Sequence, residues 1–295
     1  MIPSAAKPGE GGRCSSSPAV SYLPLAPPGA TPPRVLTIAG SDSGGGAGMQ
    51  ADIRTCTLLG VHTLCAVTAV TVQNTLGVKD FHPVPADVVA AQIAAVSDDI
   101  GMQAAKTGML ATAGIIEAVA QSWRAHGAGL PLVVDPVCAS MHGDQLLDGS
   151  ALNALRNELF PLATLVTPNL HEVRLLVGID VVDSTTQAEA ARALHALGPQ
   201  WAMVKGGHLL GSANSTDMLF DGNDFHEFES PRVNTVHDHG AGDTLAAATA
   251  CALAHGHTLL GAVAFAKSWV TEALRASYPL GHGHGPVSPL FRLQP

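Results

Sequence analysis

Basic residues are scarce in this chain: 15 Lys plus Arg stand against 24 Asp plus Glu in 295 residues, a formal net charge of −9. No cluster of Lys and Arg interrupts that acidity. Nucleic acid is therefore excluded as an expected partner, because phosphate backbones are gripped by counterion-releasing cationic stripes. A phosphate-bearing ligand would have its charge met locally, by a metal, a helix N-terminus or a few placed cations. Charged residues are only 13% of the sequence and hydrophobic ones 46%, which excludes an extensively disordered chain. No apolar run approaches the ~18–20 residues of a membrane span, so no membrane association is expected. The cysteines Cys14, Cys56, Cys65, Cys138 and Cys251 are few, odd in number and scattered, with no CxxC pair. They read as reduced thiols of a cytoplasmic protein.

Residues 1–33 are dense in Pro, Gly and Ser and end in Pro32-Pro33, the texture of a flexible extension with no catalytic role. They lack the basic start and the ~7–15-residue apolar stretch of a secretory signal. From residue 34 to residue 295 the texture is that of one α/β domain, with short β-branched runs alternating with Ala- and Leu-rich stretches. Val35–Ala39, Leu64–Val72, Gln103–Thr107, Leu132–Asp135, Thr164–Thr167 and Ala202–Lys205 read as strands. Helices are expected at Ala47–Leu59, Ala86–Ser97, Gly114–Ala125, Ser150–Phe160, Thr186–Ala196, Asp243–His255 and Leu259–Ala276. Residues 216–220 and 225–228 are expected to pair across Asp221-Gly222-Asn223-Asp224. Gly40-Ser41-Asp42, Gln73-Asn74, Gly108-Met109, Asp135-Pro136, Thr167-Pro168-Asn169 and Lys205-Gly206-Gly207 each follow a predicted strand. In an open parallel sheet that edge is the ligand crevice.

Four pieces carry candidate chemistry. The glycine-rich stretch Gly40 to Asp52 is suited to close approach by an anion or a flat polar ring, or is a tight turn without a ligand. It supplies neither the Gly-Lys-Ser/Thr of a P-loop nor a G-x-G-x-x-G fingerprint. Asp238-His239-Gly240-Ala241-Gly242-Asp243-Thr244 places small residues at a helix start, where free N–H groups stabilise a transferring phosphoryl group. Asp243 there is either a general base or a complement to the helix dipole. Asn169-Leu170-His171-Glu172 fits a hydrated Mg²⁺ site, and equally a capping box. Lys205, before Gly206-Gly207, is a cation suited to a nucleotide phosphate or one facing solvent.

Gln73 offers an amide that donates and accepts, matching the edge of a nitrogen heterocycle or a loop backbone. The pairs His237/His239 and His282/His284 suggest zinc, but lack Cys or carboxylate partners at ligand spacing and read as surface or loop histidines.

These segments fall in the order of a known family. From about Arg34 to Leu293 the chain resembles the bacterial hydroxymethylpyrimidine/phosphomethylpyrimidine kinases of thiamine biosynthesis, in the ribokinase-like superfamily. The resemblance is carried by LTIAGSDSGGGAGMQAD, AVTAVTVQNTLGV, AKTGML, VVDPV, LVTPNLHE and VKGGH. It implies a three-layer αβα fold with a mostly parallel central sheet, a homodimer, and ATP- and Mg²⁺-dependent phosphorylation of 4-amino-5-hydroxymethyl-2-methylpyrimidine and then of its monophosphate. It also implies that Gly40, Ala47, Asp52, Gln73, Met109 and Val137 line the pyrimidine pocket. Asn169 and Glu172 match the metal–phosphate motif, with Glu172 meeting Mg²⁺ through water, and Lys205 falls on the nucleotide side. Gly240, Ala241, Gly242 and Asp243 match the anion hole and base.

One departure stands out: many enzymes of the resembled subfamily have cysteine where this chain has Asp243, whereas the wider superfamily usually has Gly-Ala-Gly-Asp. A carboxylate is a readier base than a thiol with an ordinary pKa of about 8.5, and it keeps a pyridoxal/pyridoxine kinase open as the rival. A non-catalytic pyrimidine-binding regulator is a third reading, opposed by the joint presence of base, anion hole, metal motif and lysine.

Overall fold

Short strands and Ala-rich helices alternate along the computed structural model, which describes residues 22–138, 147–209 and 213–293. The strands are β1 (Arg34–Ser41), β2 (His62–Asn74), β3 (Gly77–Pro83), β4 (Ala104–Thr107), β5 (Leu132–Val134), β6 (Leu165–Val166), β7 (Trp201–Val204), β8 (Asn214–Phe220) and β9 (Phe225–Pro231). They form one sheet in the order β3-β2-β1-β4-β5-β6-β7-β8-β9. The six strands from β2 to β7 run parallel; β3 is antiparallel at one edge, and the β8–β9 hairpin at the other pairs Phe220 with Phe225 as the sequence predicts.

The helices are α1 (Gly48–Leu58), α2 (Ala86–Asp99), α3 (Ala113–His126), α4 (Gly149–Ala154), α5 (Leu170–Val177), α6 (Ser184–His195), α7 (Ala241–Ala254) and α8 (Leu259–Arg275). Alternate strand residues face opposite ways, which separates two cores. Leu36, Ile38 and Val134 pack with α2 through α6, while Val35, Ala104, Val133 and Met203 pack with α1, α7 and α8. The result is the expected three-layer αβα fold. Buried on both faces, the parallel strands read as continuous apolar runs.

Two differences from the sequence reading have plain causes. The helix expected over Ser150–Phe160 ends at Ala154 and widens into a π turn, Leu155–Leu159, before Pro161, which has no N–H to continue it. Of the expected extension, residues 1–21 lie outside the described residues, and most of residues 22–33 is exposed, but one point is anchored: Leu23 is 3% exposed, in the α7/α8 core, and Arg292 stacks over the Tyr22 ring at 4.0 Å. An apolar side chain among the prolines finds a core that composition alone does not reveal.

Candidate active site

The strand-end pieces converge on one cleft of about 1230 Å³ at the carboxyl edge of the sheet, lined among others by Gly40, Ala47, Gln73, Met109, Val137, Asn169, Glu172, Lys205 and Gly240–Asp243. Two irregularities in the ladders aim its floor. The β1–β2 register shifts between Ala39 and Ser41, at Gly40, and the β2–β3 register shifts between Val72 and Gln73. Such shifts re-aim side chains, and Gln73 thereby sits inside β2 rather than after it. Val137 holds a φ of +39°, a conformation rare for a β-branched residue, on the cleft wall.

The glycine-rich stretch does hold an anion, but one of its own. Asp42 accepts N–H bonds from Gly44 (2.7 Å), Gly46 (2.8 Å) and Ala47 (2.8 Å). Its Oδ2 also lies 3.0 Å from His239 Nε2. Burial pushes the Asp42 acid up, but His239 and the Ala47 and Gly44 amides outweigh it and hold the carboxyl below its usual range. An ionised Asp42 is acceptor only, so His239 Nε2 donates to it. His239, expected at the surface or in a loop, is instead 8% exposed and stands 3.4 Å from the Gln73 amide nitrogen. Gly46 is obligatory because a Cβ there would lie 2.4 Å from the imidazole.

Asp243 lies where the sequence placed it, beside the start of α7. Its Oδ1 accepts from Lys106 Nζ at 2.8 Å and its Oδ2 from the Gly48 amide at 3.1 Å. Burial pushes its pKa up, but the Lys106 ammonium outweighs burial and holds the carboxyl below its ordinary range. Asp52 does not line the cleft. It follows Gly48 by one helical turn on the same face of α1, so its carboxylate reaches beneath the cleft floor, fully buried, to Lys106 Nζ (3.0 Å from each oxygen) and the Thr37 hydroxyl. Burial and the neighbouring Asp243 push Asp52 up to about 6, against the pull of Lys106.

Lys205 is turned inward, 2.9 Å from Asp135 Oδ1. Burial opposes its charge, but Asp135 and Glu172 raise its pKa above the usual value. Asn169 and Glu172 form the capping box: Glu172 N donates to Asn169 Oδ1 (3.0 Å) and Asn169 N to Glu172 Oε2 (2.8 Å). Cys138 N donates to the other Glu172 oxygen at 3.3 Å. Burial, with Asp135 adding to it, pushes Glu172 up to about 7 despite Lys205. Glu172 and Asp135 both line the cleft, with Asp135 Oδ2 where a Cβ at Gly242 would lie 3.2 Å away, but both Glu172 oxygens are taken by backbone amides and no group of three metal-ligating side chains gathers among the described residues. Mg²⁺ prefers oxygen ligands and keeps waters, so Glu172 and Asp135 fit it through water.

Of the amides expected to form an anion hole at the start of α7, that of Ala241 is already spent. Gly240 caps α7 with a left-handed φ of +79°, and the Ala241 amide already donates to Asp238 O at 3.0 Å. Among the described residues the Gly242 and Asp243 amides have no backbone or side-chain acceptor. The far rim is a C-terminal strap: His284 N donates to Thr75 O (3.0 Å), His239 N to Gly285 O (3.2 Å) and Val287 N to His239 O (3.0 Å).

Sequence reasoning missed Lys106, Asp42 and His239 as parts of the site. The signal for Lys106 was present: a lysine in the middle of a buried parallel strand requires a carboxylate partner.

A family model described as phosphomethylpyrimidine kinase matches residues 42–288. The hydroxymethylpyrimidine/phosphomethylpyrimidine kinase of Mycobacterium tuberculosis is 69% identical over 93% of this chain and 100% of its own length. That of Mycobacterium leprae is 67% identical over 92% and 99%. Among solved structures, the pyridoxal kinase of Staphylococcus aureus in complex with AMP-PCP and pyridoxal is 36% identical, with a TM-score of 0.80 over 88% of this chain and 94% of its own. The phosphomethylpyrimidine kinase of Clostridium difficile is 35% identical, with a TM-score of 0.73 over 82% and 99%.

Proposed function

The chain belongs to the phosphomethylpyrimidine kinase family, and from that premise we propose that it is the phosphotransferase that converts 4-amino-5-hydroxymethyl-2-methylpyrimidine to its monophosphate and then its diphosphate, with ATP, in thiamine biosynthesis. The pyrimidine lies against Gly40, Ala47, Met109 and Val137, with the Gln73 amide on its polar edge. Its hydroxymethyl oxygen stands at Asp243, which takes the proton as that oxygen attacks the γ-phosphorus. A weak base suffices, because a loose phosphoryl-transfer transition state asks mainly for positioning. The Gly242 and Asp243 amides and the Lys205 ammonium stabilise the moving phosphoryl group. Glu172 and Asp135, with Asn169 beside them, would hold Mg²⁺ through water, where it would neutralise charge on the nucleotide phosphates.

The observation that carries this reading is the Asp243 carboxylate, fixed by Lys106 and Gly48 in the wall that also presents the α7 amides and Lys205. Mass-resolved product assays with Mg-ATP test it, offering the pyrimidine, its monophosphate, pyridoxal and pyridoxine separately. Pyrimidine mono- and diphosphate are expected. Predominant pyridoxal phosphate would favour the rival kinase, whose reading draws support from the 36%-identical pyridoxal kinases. Replacing Gln73 by Ala is expected to raise the pyrimidine KM with little change in kcat; the reverse pattern would remove Gln73 from recognition.

A cytoplasmic place and a homodimer complete the proposal. Reduced, scattered thiols support the first. For the second, Val70 and Val72 on β2 and Leu76 beyond it are more than half exposed, an apolar strip suited to a second copy. Sedimentation at micromolar concentration tests the assembly.

A further inference from the structure

The second transfer poses an electrostatic problem that the first does not. The attacking atom must occupy one place relative to the γ-phosphorus in both steps, so the phosphate of the monophosphate comes to rest where the hydroxymethyl oxygen first lay, against Asp243. That phosphate is largely dianionic at neutral pH, and its oxygen attacks without giving up a proton. The P–O–P bond forms, the β–γ bridging bond breaks, and ADP leaves with the electron pair. The second acceptor therefore needs no base from Asp243 and is repelled by its charge.

Beneath Asp243 the fold places one ammonium between two carboxylates. Lys106 Nζ lies 2.8 Å from Asp243 Oδ1 and 3.0 Å from both Asp52 oxygens. Lys106 and Asp52 are fully buried, so solvent screens little of their field at the cleft floor. Thr37 donates its hydroxyl to Asp52, and no further cation touches the Asp52–Lys106–Asp243 group among the described residues. With both acids ionised the group carries one net negative charge. Lys106 reduces the repulsion of a phosphorylated acceptor, and Asp52 partly restores it.

We propose that Lys106 and Asp52 are specificity-determining residues that set how well the phosphorylated acceptor binds relative to the alcohol, Lys106 favouring the monophosphate and Asp52 opposing it. This rests on the two-step reading given above. It does not follow from packing, because loss of packing would weaken both acceptors alike, whereas charge acts on the dianion and spares the neutral alcohol.

The test is the equilibrium dissociation constant of each acceptor without ATP, measured by calorimetry, alongside KM for each step. Asp52→Asn is isosteric and keeps an oxygen for Lys106. It is expected to tighten monophosphate binding several-fold while leaving alcohol binding within about twofold, an effect of the order expected for removing a buried charge a few ångströms from a dianion. Lys106→Met is expected to do the opposite, weakening the monophosphate at least about tenfold more than the alcohol. If Lys106→Met does not fold, the sign of the Asp52→Asn effect decides alone. Equal shifts for both acceptors, or weaker monophosphate binding in Asp52→Asn, would overturn the proposal while leaving the kinase reading intact. A wild-type enzyme that makes no diphosphate would overturn both.

Discussion

At the scale of single residues the site is a set of carboxylates, each given a different task by its neighbours. Asp243 stays ionised because Lys106 outweighs its burial. Replacing Asp243 by Asn is expected to lower kcat for the alcohol acceptor about 10²–10⁴-fold, the usual worth of a general base, with pyrimidine binding nearly intact; steady-state kinetics check it, and unchanged turnover would remove Asp243 from the mechanism. Asp42 is ionised for a structural end. Replacing it by Asn leaves one oxygen where there were two, so the Gly46 and Ala47 amides lose the Oδ2 acceptor, and the change is expected to destabilise the fold by about 2 kcal/mol near neutral pH. Its pKa is held low in the folded state, so its stabilisation is present above the ordinary carboxylate range and is lost as pH falls through the folded value. The gap between wild type and variant in denaturant melts should therefore close below about pH 4. Lys205 and Glu172 were legible in the sequence because each comes soon after a strand, Asp243 because it stands among small residues at a helix start, and Gln73 because a polar amide closes an apolar run. Lys106 and His239 were not, since their partners lie far along the chain: Lys106 meets residues 54 and 137 positions away, and His239 meets Asp42 from 197.

At the scale of elements, the start of α7, at Ala241 rather than the expected Asp243, is where a methyl group should do the most harm. A Cβ at Gly240 would meet Gly46 O at 2.1 Å from a left-handed backbone. Gly240→Ala is therefore expected to destabilise the fold by more than about 2 kcal/mol, combining the left-handed cost with the clash. A Cβ at Gly242 would lie only 3.2 Å from both Asp135 Oδ2 and Lys205 Nζ, in an otherwise sound helical conformation. Gly242→Ala should keep its melting temperature and lose kcat about 10–100-fold, since it crowds the phosphoryl position without disturbing the helix. Comparison of the two variants by thermal melts and by kinetics separates fold from function. The six parallel strands were readable from period and composition. The register shifts at Gly40 and Gln73 were not, because a one-residue slip leaves no mark on the hydrophobic pattern of either strand.

At the scale of the whole molecule, the core beneath α1, α7 and α8 is locked by residues far apart in the chain, Leu23 and Phe291 among them. Leu23, beside the α7/α8 core, belongs to that lock, and Leu23→Ala is expected to cost about 2–4 kcal/mol in denaturant unfolding despite its place in a proline-rich segment; a change within about 0.5 kcal/mol would return residues 22–33 to the status of a loose extension. The strap that joins Gly285 and Val287 to His239, and His284 to Thr75, extends the same logic to the cleft. One rim of the pocket comes from β1, α1 and β2, and the other from α7 and the residues just before the C-terminus. During synthesis on the ribosome the earlier rim emerges long before the later one, so a nascent chain carries half a binding site for most of its elongation. Ligand can thus stabilise this protein fully only after residues 284–287 have left the exit tunnel, which leaves the growing chain to rely on its own sheet until then.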